Sequence, residues 1–133
     1  LRLLLDTHIW IWWLTGQKEL PDAEREAINR AAEVDVPSIS AISMWECQML
    51  HARGRLDLAI PFDSWLFQAV SPDTVEVLPL SVDVIVALDH LPRSFHGDPA
   101  DRIIMATARA TKLPLATHDR KIRRSRVISI WKP

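Results

Sequence analysis

Four carboxylates are the residues of this chain whose type and placement invite chemistry: Asp6, Glu46, Asp101 and Asp119. Asp6 and Asp119 each fall just past an expected apolar strand. Glu46 and Asp101 fall early on expected helices that follow strands or loops. Facing carboxylates cannot all stay ionised cheaply, because each negative charge raises its neighbour's pKa. A bound Mg²⁺ or Mn²⁺ removes that conflict, since hard cations prefer oxygen ligands. Such an ion can supply an activated water and stabilise the oxygens of a phosphodiester displacement. With no cysteine pair and no Gly-rich loop, this set suits metal-assisted hydrolysis of phosphate esters.

Each acid also has a plain structural reading. Asp6 can cap a helix that begins near Thr7. Ser43-Met44-Trp45-Glu46 fits the S-x-x-E capping box. Asp98 and Asp101 bracket Pro99 as an N-cap and an N3 acid would, favouring the helix dipole. Asp119 can be a turn residue. What raises the functional reading is the order of these acids along the chain.

The elements that must position them are short apolar strands alternating with helices. Strands are expected at 2–5, 34–39, 75–78, 115–117 and 127–130. Helices are expected with Thr7 as a cap and Ile9, Trp10, Trp13 and Leu14 along the first, Gly16 being its stop, and at 22–33, 41–53, 61–70, 82–88 and 101–112, with a helical turn at 119–123. Alternation of this kind implies a parallel sheet covered on both faces, a single-domain α/β/α sandwich spanning residues 1–133. In open α/β folds, sites lie beyond the carboxyl ends of the strands, where the acids fall.

Composition agrees with a soluble globular chain: of 133 residues, 48% are apolar and 25% charged. The lone Cys47 cannot form an intramolecular disulfide or a zinc site that needs paired thiolates. The run Leu1–Leu5 is interrupted by Asp6 and His8, far short of the roughly 20 apolar residues a spanning helix needs. The expectation is a cytoplasmic protein with no membrane association. Net charge is −1, unevenly spread. Residues 1–90 hold 6 Lys+Arg against 14 Asp+Glu, a net of −8, whereas residues 91–133 hold 10 against 3, a net of +7. A basic face on an acidic body can attract phosphates; equally, it can answer the acidic half of the same molecule.

Four segments carry a resemblance. They are Leu3-Leu4-Leu5-Asp6-Thr7-His8, Ser40-Ala41-Ile42-Ser43-Met44-Trp45-Glu46, the stretch from Asp98-Pro99-Ala100-Asp101-Arg102-Ile103-Ile104 to Ala108, and Leu115-Ala116-Thr117-His118-Asp119. Together they make the chain similar to the PIN-domain ribonucleases, and more closely to the VapC-type toxins of bacterial and archaeal toxin–antitoxin pairs. The resemblance implies a metal-dependent endoribonuclease whose acids bind Mg²⁺ or Mn²⁺. Asp6, Glu46 and Asp101 match the family's first three acids and Asp119 its more variable fourth. Asp98 matches an extra acid that touches the metal, a metal-bound water or only the helix end. Thr117 falls where the family places a small hydroxyl residue near the site. The implied arrangement has Asp6 and Asp101 on a principal ion, with Glu46 and Asp119 completing its shell or holding a second. Implied partners are an RNA substrate, a cognate antitoxin and a second copy of the chain.

Among the basic residues of the C-terminal third, Arg102 and Arg120 lead as RNA contacts, because each directly follows a proposed ligand. His8 and His118 lie close to proposed ligands, but strand alternation should turn His118 away from the side Asp119 faces. His90, His96 and Asp98 form a loosely specified zinc set, which is set aside. Of six tryptophans, Trp10, Trp13, Trp45 and Trp65 are expected in the core, and Trp12, off their face, on a partner surface. A haloacid-dehalogenase-type phosphatase would need an acid where His8 stands. A receiver domain would need adjacent acids and a late lysine. With glycine only at 16, 54 and 97, no phosphate-cradling loop exists. The alternative from another class is a non-catalytic PIN-like module that binds RNA or protein without cutting.

Overall fold

The computed structural model describes residues 2–93 and 97–133. In chain order its elements are β1 (Leu4–Leu5), α1 (Thr7–Thr15), α2 (Asp22–Val34), β2 (Ser38–Ser40), α3 (Ala41–Ala52) and α4 (Phe62–Ala69). There follow β3 (Glu76–Leu78), α5 (Val82–Asp89), α6 (Pro99–Thr111), β4 (Leu115–Ala116) and α7 (Arg120–Arg124). The four strands are parallel and ordered β3-β2-β1-β4. The chain therefore builds outward from β1 to β3, then crosses back to lay β4 on β1's other edge. That reversal makes a switch point between the carboxyl ends of β1 and β4, where an α/β sheet opens a crevice.

Alternation along the strands builds the layers. Leu3 and Leu5 join Ile39 and Ala116 in one buried cluster, beneath α1, α2 and α4. Leu4 and Leu115 point the other way, into a cluster with Val84, Ile104, Met105 and Ile122 from α5, α6 and α7. Successive strand residues face opposite sides, so two-residue strands suffice to feed two cores. The expected α/β/α sandwich with a parallel sheet is what forms.

Several local expectations are corrected. Residues 34–37 are not strand. Val34 closes α2 at 78% exposure, and Pro37 has no N–H to give a ladder, so pairing begins at Ser38. The last strand shrinks to one parallel bridge, Leu115 to Ile130, beside a β4 that is itself only two residues long. Asp6, not Thr7, is the N-cap of α1; Gly16 ends that helix at φ 69° as expected. Trp10 and Trp65 are core residues and Trp13 is half-buried, its Nε1 donating to Asn29 Oδ1 at 2.8 Å. Trp45 is 51% exposed instead. It lies two residues from each of the buried Ser43 and Cys47, which puts it on the far side of a 3.6-residue helix. Cys47 is fully buried, and desolvation pushes its thiol up to about 12, which makes it a packing residue. His96, of the zinc set put aside above, lies outside the described residues. Among the described residues no helix is long and apolar enough to cross a membrane.

Leu4, fully buried, occupies the strand that pairs on both edges and feeds the α5–α6 core. Leu4→Ala is expected to cost about 2–5 kcal/mol in a urea unfolding experiment.

Candidate active site

Asp6 follows β1 directly and is only 7% exposed. Its Oδ1 accepts from the Thr7 backbone N–H at 2.8 Å, and its Oδ2 accepts from Thr117 Oγ1 at 2.6 Å. The Thr117 hydroxyl also accepts from the Asp119 N–H at 3.0 Å. One buried hydroxyl thus ties the acid after β1 to the loop after β4 that carries the fourth acid. Asp119 caps α7, its Oδ1 accepting from the Ile122 N–H at 3.0 Å. Arg123 steadies the same loop by donating to the Thr117 carbonyl at 2.9 Å.

A second hydroxyl orients Glu46. Thr7 Oγ1 donates to Glu46 Oε1, and it lies 2.8 Å from Ser43 Oγ. A hydroxyl has one proton, so with Thr7 donating to Glu46 the Ser43 hydroxyl donates to Thr7. Ser43 and Glu46 sit three residues apart on α3, hence on one face. The S-x-x-E pattern is therefore not a capping box here. Ser40 caps α3 at Ile42 N, and Ser43 and Glu46 look together toward Thr7. Asp98 caps α6, accepting from the Ala100 and Asp101 N–H groups at 3.0 and 3.3 Å.

Asp6, Glu46, Asp98, Asp101 and Asp119 line one cleft of about 350 Å³, together with His8, Ile9, Trp12 and His118. A larger cavity of about 620 Å³, beside the end of α1 and α4, holds Asp57 as its single acid and has no comparable chemistry. His118 corrects the expectation from alternation. It lines the same cleft as Asp119, held by a 2.7 Å bond from its Nε2 to Glu24 of α2. The residue pair is not a continuous strand, because β4 ends at Ala116. Of the expected RNA contacts, Arg120 is exposed at the first turn of α7. Arg102 lines a separate groove between α5 and α6, its Nη1 3.3 Å from the Pro92 carbonyl. Thr7, Ser43 and Glu24 were not singled out for the site by sequence; a hydroxyl adjoining Asp6 is the one local hint.

The electrostatics follow from burial and crowding. Desolvation pushes the Asp101 carboxyl up to about 7, and Asp6, Asp98, Glu46 and Asp119 add to it by repulsion. Glu46 rises to about 6 by desolvation, opposed by the Thr7 hydrogen bond and reinforced by Asp6 and Asp98. Desolvation also raises Asp6, against the bonds from Thr117 and Thr7. Among the described residues no three acids or imidazoles close on a common point as a finished metal cage. The donor set nonetheless fits a hard divalent cation. It offers carboxylate oxygens that raise one another's pKa, in a cleft wide enough for an ion that keeps several waters, as Mg²⁺ does.

The PIN-domain family profile matches residues 3–127 of this chain. Ribonuclease VapC22 of Mycobacterium tuberculosis (strain ATCC 25618 / H37Rv) is 40% identical over 133 residues, covering 97% of this chain and 98% of that protein. The solved VapBC2 structure from Rickettsia felis, bound to a DNA fragment from their promoter, matches with a TM-score of 0.75. That match has 19% identity and covers 98% of each chain, a likeness of fold.

A carboxyl whose folded pKa is raised contributes stability that is complete below its unfolded pKa and lost as pH rises through the folded one. For Asp101 and Glu46 that window runs from 3.8 and 4.5 up to about 7 and 6. In EDTA, the melting temperature is expected to fall across that window, and Asp101→Asn to flatten the fall. Thermal melts of both proteins across that pH range check this; identical slopes would contradict it.

Proposed function

The chain belongs to the PIN-domain family, and from that premise we propose that it is a metal-dependent endoribonuclease acting as the toxin of a toxin–antitoxin pair. The single observation that carries the reading is the convergence of Asp6, Glu46, Asp101 and Asp119 on one cleft at the sheet's switch point. The 40% identity to a ribonuclease over nearly the whole chain supports RNA as the substrate. The fold likeness to a chain of the VapBC2 structure supports an antitoxin as partner. Work on cellular RNA would place the protein in the cytoplasm.

In this reading Asp6 and Asp101 hold the principal Mg²⁺ or Mn²⁺, Glu46 and Asp119 complete its shell or hold a second ion, and Asp98 sets the start of α6. When bound, the ion supplies positive charge against the phosphate and lowers the pKa of water. Thr117 keeps the Asp6 carboxylate turned toward the cleft and fixes the Asp119 loop to it. Thr7 fixes the rotamer of Glu46. These hydroxyls hold the acids in place against their mutual repulsion, so Thr117→Val is expected to lower activity by roughly 10–100-fold, the usual cost of losing a group that orients a ligand. Arg120 stands exposed beside Asp119, where an RNA backbone entering the cleft would meet it. Arg102, in its separate groove, is the more distant of the two proposed RNA contacts.

Retention of all four acids on one cleft favours cutting over a purely binding role. A homodimer is part of the proposal. Val82, Ile85 and Val86, spaced on one face of α5, are exposed at 79%, 48% and 49%, an apolar face of the kind that marks an interface.

Incubated with total RNA, the antitoxin-free protein is expected to cut in Mg²⁺ or Mn²⁺ and not in EDTA, leaving 5′-phosphate and 3′-hydroxyl ends. Products ending in 2′,3′-cyclic phosphate would contradict hydrolysis by water. Arg120→Gln should weaken RNA binding and lower the slope of log affinity against log salt by about 1. Sedimentation as a monomer at high concentration would remove the dimer.

A further inference from the structure

One wall of the acidic cleft is aromatic. The Trp12 ring lies 5.5 Å from the His8 ring and 5.6 Å from the His118 ring, centroid to centroid, both tilted, and all three line the cleft beside the carboxylates. Trp12 comes from α1, one turn past His8. His118 comes from the loop after β4, 94 residues from the Glu24 that holds its Nε2 at 2.7 Å. Two neighbouring helices, α1 and α2, and the distant β4 loop therefore cooperate to set these rings side by side. The packing of Trp12 on the core explains part of its ring. It does not explain His8, which is exposed, or a His118 side chain held in place while 33% accessible.

We propose that the His8–Trp12–His118 wall seats an unpaired nucleobase next to the phosphate to be cut. The proposal deepens, and rests on, the ribonuclease reading. The rest of the cleft's polar lining is carboxylate, which repels phosphate until a cation intervenes. A base is uncharged, and every base offers a flat face to an indole. Bases within an A-form helix are stacked on one another and cannot reach such a wall, whereas bases of loops and single strands can. Trp12 is the stacking residue, and Glu24 is a positioning residue that acts through His118.

The test uses the full chain with Asp6→Asn, which blocks cutting, and labelled oligoribonucleotides that are either single-stranded or a closed duplex. Adding Trp12→Leu, which stays apolar but removes the π face, should weaken single-strand binding about ten-fold and leave duplex binding alone. Trp12→Phe should restore most of the loss. Should Trp12→Leu fail to fold, His118→Leu and Glu24→Gln, both at the rim, carry the same expectation at smaller size. In the chain that retains Asp6, the loss should appear in KM and not in kcat. Unchanged single-strand binding, or equal losses for strand and duplex, would overturn the proposal. So would loss of binding to a protein partner with RNA affinity intact, which would make the wall a protein surface. If the chain with Asp6 cuts no RNA while Trp12 still governs single-strand binding, the cutting reading falls and the base seat stands.

Discussion

Crowded carboxylates at the end of β1 set the terms for the rest of the structure. Burying Asp6 there is costly, and the fold meets that cost locally: a backbone N–H holds one oxygen and the Thr117 hydroxyl the other. Around it stand Glu46 from α3, Asp98 and Asp101 from the start of α6, and Asp119 from the loop after β4. Burial, with their repulsion added to it, lifts Asp101 to about 7. A fold selected for stability alone has no reason to gather them. Their convergence at the switch point of a parallel sheet makes sense as a place kept for a cation and a phosphate.

The hydroxyl residues explain how the gathering is held. Thr117 joins Asp6 to Asp119, and Thr7 joins Glu46 to Ser43. Asp6 and Thr7 are neighbours in sequence, so β1 and the first turn of α1 are linked to α3 on one side and to the β4 loop on the other. N-cap bonds at Asp98 and Asp119 fix the remaining acids to their helices. The same bonds that start these helices therefore aim the carboxylates, and the capping and functional readings of these residues coincide.

The parts of this arrangement legible in the sequence were the local ones. An acid after an apolar run, a proline between two aspartates and a glycine stop each carry their own short-range physics. The parallel α/β class followed from alternation, and the acids' order along the chain pointed to one edge. The parts that were not legible depend on long-range contact. Thr117 meets Asp6 across 111 residues, and Thr7 meets Glu46 across 39. S-x-x-E read as a capping box because a local pattern cannot reveal that Ser43 and Glu46 share a face toward Thr7. Trp45 read as core because of its bulk, although the buried stripe of α3 passes through Ser43 and Cys47. His118 read as facing away because strand alternation was extended beyond the strand's last residue. The bond to Glu24 that turns it inward comes from a helix nearly a hundred residues earlier.

We propose for these acids a divalent-cation site organised around Asp6. Calorimetric titration of the metal-free protein with Mn²⁺, beside Asp6→Asn, tests it most directly. Saturable binding is expected, weakened by at least about 100-fold in the variant, since loss of a ligand should exceed the roughly 10–100-fold cost of losing a group that merely orients one. Equal affinity in both proteins, or no binding by the folded wild type, would contradict it.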